Sequence, residues 1–257
     1  MKSASGGSSF CDSKSSFEKS RPENLLQFTA VTYNVHQCVG IDGQRDPERI
    51  LKILKKMKSD IIGLQEVHSM VGSSSETAQM KYLARGLGFE PVAGTTVFRP
   101  DSHYGNVLLT RFPVSRVRLL DLSYGRREPR GAIDVTVSVY GSPMRVIVTH
   151  FGLSPFERSY QANKLLDHVN KEQLHPMVIL TDLNEWFPWG GALRMFKKRF
   201  GESSAPPTFP SPLPLLPLDR IWVNPPTAIR DIRAYKSTSS RIASDHLPLK
   251  ALISMIS

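Results

Sequence analysis

The chain has 257 residues, 40% of them hydrophobic and 22% charged, with 33 Lys+Arg against 23 Asp+Glu for a formal charge of +10. That composition suits a globular protein able to bury a substantial core. Two cysteines make no disulfide framework, and no apolar run approaches the roughly 20 residues that a bilayer span needs. The charge favours an anionic partner, whether nucleic acid, anionic lipid headgroup or phosphorylated small molecule, and leaves the chemistry open.

Residues 1–24 are Ser-rich, with four basic residues against three acidic, so about +9 of the charge falls on the remainder. They lack the roughly 7–15-residue apolar core of a signal peptide and read as a disordered tail. Residues 25–257 then form one domain. Cys11 and Cys38 read as reduced thiols, and the expected location is cytoplasmic, with peripheral attachment to a membrane left open.

From there strand and helix signals alternate. Phe28–Val35 is β-branched and aromatic. Asp46 and Pro47 supply an N-cap and a first helical residue, followed by an apolar face at Ile50, Leu51, Ile53, Leu54 and Met57. Ile61–Gln65 is a short buried strand expected to stop at Glu66. A second helix is expected over Glu76–Leu87, ended by Gly88. Strands follow at Asn106–Thr110, Arg116–Leu120, Ala132–Tyr140 and Met144–Thr149, the last two joined by Gly141-Ser142-Pro143. Ser154-Pro155-Phe156-Glu157 opens a third helix. Val178–Leu180, Arg220–Val223 and Leu249–Ile253 complete the strands. Six prolines within 206–217 forbid helix or central strand and predict a stiff surface loop.

Polar residues stand where these buried strands end: Asn34, Glu66, His150, Asp182 and Asn184. Ligand sites of α/β sheets lie beyond strand ends. Ser244-Asp245-His246 adds a charged pair inside apolar sequence, which is costly unless it is partnered. No glycine-rich serine elbow, cysteine-rich zinc pattern or phosphate loop accompanies them. Hydrolysis assisted by a hard cation fits best. Oxygen ligands from Glu66, Asp245 and Asn34 suit Mg²⁺, with Mn²⁺ as a substitute. His and Asn donors bind phosphoryl oxygens, and Asp182 orients a water.

Tyr33-Asn34-Val35, Gln65-Glu66-Val67, Tyr104-Gly105-Asn106, Thr149-His150, Thr181-Asp182-Leu183-Asn184, Leu218-Asp219-Arg220-Ile221 and Ser244-Asp245-His246 resemble, in order, the motif series of the endonuclease/exonuclease/phosphatase superfamily, whose best-known members are deoxyribonuclease-I-like. The resemblance covers about residues 28–254. It implies a four-layer α/β sandwich, two packed mixed β-sheets flanked by helices, with the site at one end. It also implies roles. Glu66 is the main metal ligand, with Asn34 and Asp245 beside it. Asp182 orients or deprotonates the attacking water, and Asn184 and His150 hold phosphoryl oxygens. His246 binds or protonates the phosphoryl group, held in its tautomer by Asp219. Asn106, Tyr104 and Arg130 are candidate substrate contacts.

The substrate class stays open between nucleic acid and a phospholipid or glycolipid headgroup, and a catalytically inert phosphate- or membrane-binding protein is the alternative. Trp186-Phe187-Pro188-Trp189 reads equally as a stacking platform, a lipid-facing cluster or a buried one. Leu213, Leu215 and Leu216 favour lipid if they stand at the rim. Asn34-Val35-His36, Asp182-Leu183-Asn184-Glu185-Trp186 and Thr208-Phe209-Pro210-Ser211 resemble a bacterial branch implicated in membrane-lipid processing. His36 and His68 are placed near the pocket; His103, His168 and His175 read as surface.

Overall fold

The computed structural model describes residues 25–70, 78–171 and 176–256; the expected tail, the proposed start of the second helix at Glu76, and His175 lie outside them. The first half runs β1 (Leu25–Asn34), α1 (Pro47–Met57), β2 (Ile61–Met70), α2 (Gln79–Leu87), β3 (Glu90–Phe98), β4 (Ser102–Thr110), β5 (Val114–Asp121) and β6 (Gly131–Val139). The second runs β7 (Ser142–His150), α3 (Pro155–Lys171), β8 (Met177–Asp182), α4 (Gly191–Phe200), β9 (Asp219–Asn224), β10 (Ile229–Ala234), α5 (Ser240–Ala243) and β11 (Leu249–Ile256).

Two sheets result, in orders β10-β11-β1-β2-β4-β3 and β5-β6-β7-β8-β9. β1–β2 and β7–β8 are parallel and the other pairs antiparallel, so both sheets are mixed. Strand alternation sorts side chains into layers. Phe28, Ala30, Ile61, Val146, Val148, Val178 and Leu180 fill the space between the sheets. Val31, Tyr33, Ile62 and Leu64 face α1 and α2, and Ile147 and Ile179 face α3 and α4. This is the expected four-layer sandwich. Gly63 lets the sheets approach: a Cβ there would stand 2.9 Å from Leu180 Cβ.

The start of α1 is as the sequence dictates, with Asp46 Oδ1 accepting from Arg49 N at 2.9 Å. β2 does not stop at Glu66. It continues to Met70 past a bulge between Leu64 and Val67, where Glu66 takes φ +58°. The sequence also gave no sign of β3, β10 or α4. Pro91 and Gly94 interrupt the β3 pattern, which an edge strand tolerates. β10 is a short edge strand with exposed Arg230, Asp231 and Arg233. α4 starts after Gly190 with no side-chain cap.

On the helix side of the second sheet, Asp134 is buried among cations. Arg145 donates to it from Nε and Nη2 at 2.8 and 2.7 Å, and Arg118 Nη2 lies at 3.0 Å. His168, read as a surface residue, reaches Asp134 Oδ2 from α3 at 2.7 Å.

Candidate active site

Both sheets deliver polar side chains to the same end. Asn34 closes β1, and its Nδ2 donates to Glu66 Oε1 at 2.9 Å and Asp182 Oδ2 at 3.0 Å. Its carbonyl oxygen accepts from His36 N at 3.0 Å. Two carboxylates need donors and one N–H needs an acceptor, which fixes the amide orientation. As arranged, the Asn34 amide nitrogen faces the Glu66 and Asp182 carboxylates, and its Oδ1 faces the His36 backbone. The bulge and positive φ of Glu66 aim its carboxylate into the site, a strained backbone state for a non-glycine residue.

Asp182, fully buried at the end of β8, accepts from Asn184 N through Oδ1 at 2.9 Å. Burial pushes its carboxyl up to about 6, against the pull of His246 and the Asn34 bond. Asp219 opens β9 beside it and accepts from His246 Nδ1 at 2.8 Å. His246 Nε2 then points toward Asp182 Oδ2 at 3.6 Å. Burial opposes charge on this ring, but Asp219 and Asp182 outweigh it and raise it to about 10. The His246 imidazole is therefore a cation at neutral pH, held by one carboxylate and facing another.

His150, at the end of β7, has the opposite character. Burial, Arg130 and His246 all push it well below its ordinary value. A neutral ring has one acceptor nitrogen. Asn184 Nδ2 stands 2.9 Å from Nε2 and claims it, so Arg130 Nη1, 3.4 Å from Nδ1, is a charged neighbour and not a donor. Asn184 Nδ2 also donates to Phe151 O at 2.8 Å. Both amide hydrogens are thus committed to placing His150. Asn184 adopts φ +52°, which Asn tolerates.

The other candidates divide. Arg130 is buried against His150 and Glu128 Oε1, the latter at 2.6 Å, and bonds the Tyr104 side chain. Burial, Glu66 and Glu128 raise the Tyr104 hydroxyl well above its ordinary value. These groups border a cavity of about 340 Å³ lined by His68, Arg99, Tyr104 and Glu128. Asn106 instead spends its amide on Gly131 O at 3.0 Å, tying the two sheets together. Asp245 sits on the rim, half-buried, with Oδ1 at 4.0 Å from His36 Nδ1. Sequence reasoning missed Glu128 and the packing of Phe209 on His246, whose ring centroids are 5.0 Å apart. Cys38 is buried, and burial pushes its thiol up to about 12, which makes it a poor nucleophile.

The Endonuclease/Exonuclease/phosphatase family model matches residues 31–246, from inside β1 to His246. The chain belongs to this family. It is 28% identical over 259 residues to uncharacterized protein YbhP of Escherichia coli K12, spanning 90% of this chain and 99% of that one. A family structure from Beutenbergia cavernae superposes with TM-score 0.73 at 23% identity, over 90% of this chain and 72% of the other. A mannosyl-6-phosphatase from Bacteroides thetaiotaomicron gives TM-score 0.66 at 18% identity, over 88% and 99%. Members of the family are phosphoester hydrolases, typically metal-dependent. In this chain Asp182, Asp219 and His246 bring their ligand atoms within 4.8 Å of one another and form a group that could hold a metal ion. One hydrogen bond, from His246 Nδ1 to Asp219 Oδ2, lies within the group, and Asp219 Oδ1 is buried with no hydrogen-bond partner among the described residues.

Proposed function

We propose that the protein hydrolyses a phosphodiester with Mg²⁺ as cofactor. The carrying observation is the array Asp219–His246–Asp182–Asn34–Glu66, a charged imidazole and two further carboxylates joined through one amide at the meeting end of both sheets. Glu66 suits a hard cation because it is a partly exposed oxygen donor, with Asp245 the second carboxylate nearby in the rim. A bound Mg²⁺ supplies charge to the phosphoryl oxygens and to the leaving oxygen.

The protein's own groups do the rest. Asp182, with its carboxyl raised toward neutrality, accepts a proton from the attacking water. The water oxygen bonds to phosphorus as the ester P–O bond breaks, the departing oxygen takes a proton from solvent water to leave as an alcohol, and Asp182 returns the proton it took to solvent. The His246 cation binds a phosphoryl oxygen and stabilises charge that grows in the transition state. The buried Arg130 guanidinium, beside neutral His150, adds positive charge to the anion-binding wall.

The test is hydrolysis of bis-p-nitrophenyl phosphate with Mg²⁺ or Mn²⁺. Metal-dependent turnover, lost on chelation and in Glu66→Ala and His246→Ala proteins that remain folded by circular dichroism, is expected. No turnover by the wild type with either metal overturns the reading.

A further inference from the structure

Between β8 and β9, and at the start of α3, the chain keeps large apolar side chains in the open. Phe156, Trp186, Phe187, Trp189, Leu213 and Leu215 leave between 48% and 80% of their surface uncovered. They connect to the reacting centre. Trp186 stands 6.1 Å from Phe209, the ring packed on His246, and Phe187 stacks on Trp189 at 5.3 Å. Leu215 N donates to Phe209 O at 2.8 Å, which places the leucine turn beside the same ring. Phe156 belongs to the first turn of α3, which Arg158 fastens to Glu185, next to Trp186, at 2.8 Å.

Single exposed apolar residues are ordinary, but two tryptophans, two phenylalanines and two leucines linked through Phe209 and Glu185 are not. Five of the six sit on the loops 185–190 and 206–217. They therefore offer no helix stripe or strand edge for a folded partner to pair with, whereas loop-tip Trp and Leu suit the headgroup boundary of a bilayer. The local charge points the same way. Glu185 is buried against Arg158 and Glu157 is buried within 3.8 Å of Arg127. Exposed bases outnumber acids beside the patch: Arg126 and Arg127, followed by exposed Glu128, then Arg194 on the first turn after Trp189, and Lys236, which shares a surface cavity with Pro212. Leucines at the tips give nothing to the phosphates of a nucleic acid, so the combination favours lipid.

We infer that this face docks the protein on an anionic lipid bilayer. The Trp and Leu loops enter the headgroup boundary, the flanking cations meet lipid phosphates, and the pocket faces the phosphodiester of a lipid headgroup. The substrate part rests on the phosphoesterase reading; the docking part stands without it.

The experiment mixes the full chain with phosphatidylcholine vesicles, with and without phosphatidylglycerol, and follows cosedimentation and tryptophan fluorescence. Of three tryptophans, Trp222 is buried, so a change reports Trp186 and Trp189. Binding to the anionic vesicles, weakened by salt, and quenching by lipids brominated on the acyl chain are expected. A protein carrying Phe187→Ser, Trp189→Ser, Leu213→Ser and Leu215→Ser should lose vesicle partitioning by about tenfold or more, with turnover of the soluble diester unchanged. If that protein does not fold, quenching in the wild type decides. Docking is overturned by absent vesicle binding, by binding without quenching, or by a patch whose loss dissolves a dimer or a nucleic-acid complex instead. Vesicle binding without turnover of the soluble diester sinks the phosphoesterase reading and leaves docking in place.

Discussion

His246 and His150 show how one residue type takes two protonation states within a single pocket. Both are buried, and burial alone favours the neutral ring. Both rings stand 3.6 Å from Asp182 Oδ2, and the difference lies in the second neighbour: Asp219 bonds His246 directly, while the Arg130 guanidinium lies against His150. On the proposed reaction, Asp219 would act through His246 as a positioning residue. Asp219→Asn keeps the shape but removes the charge that holds the imidazolium. Turnover of the soluble diester should fall about 100-fold, with KM nearly unchanged, and Asp219→Glu should recover part of it. Steady-state kinetics check this: a rise in KM with kcat preserved would assign Asp219 to substrate binding instead.

At the scale of the element, the bulge in β2 costs stability for placement. Glu66 is held at φ +58° with its carboxylate sharing the Asn34 amide with Asp182. Asn adopts that backbone state readily, and it carries no charge. Glu66→Asn should therefore abolish turnover and raise unfolding stability by about 1 kcal/mol; a urea melt showing equal or lower stability would contradict it. Three residues earlier, Gly63→Val pushes a branched side chain against Leu180 and should cost about 1–3 kcal/mol in the same melt. These two positions also mark what the sequence made legible. Buried strands such as Ile61–Gln65 and Val178–Leu180 stood out because their apolar content is continuous, and polar residues at their ends stood out by contrast. The bulge was hidden, because Gln65-Glu66-Val67 reads as ordinary alternation whether or not one residue is unpaired. Edge strands β3 and β10 were hidden because one face meets water and Pro, Gly or Arg is tolerated there. The contacts of Arg130 with Glu128, Tyr104 and His150 depend on sheet packing, and Asn106 could be seen as a pocket residue but not as the clamp onto Gly131.

At the scale of the whole molecule, the charge of +10 is organised by buried acids as much as by exposed bases. Asp134 ties β5, β6, β7 and α3 into one unit through Arg118, Arg145 and His168. Burial pushes its carboxyl up, but those three partners outweigh burial and hold it below the ordinary carboxylate value. A group depressed in the folded state stabilises the fold above its unfolded pKa, about 3.9 for Asp. That contribution disappears as pH falls through the lower folded value, where protonation removes the charge that buried Arg145 and half-buried Arg118 face. The Asp134 contribution should thus be steady from neutral pH to about 5 and then fall below about 4. General protonation of acids also raises net positive charge and pushes the same way, so the two causes must be separated. Salt screens the general repulsion but leaves the buried network nearly untouched. Asp134→Asn should lower stability at pH 7 by about 3–5 kcal/mol and flatten the acid limb of melting temperature against pH at high salt. An acid limb of unchanged steepness in that protein would show that diffuse repulsion, and not this buried carboxylate, sets the acid boundary of the fold.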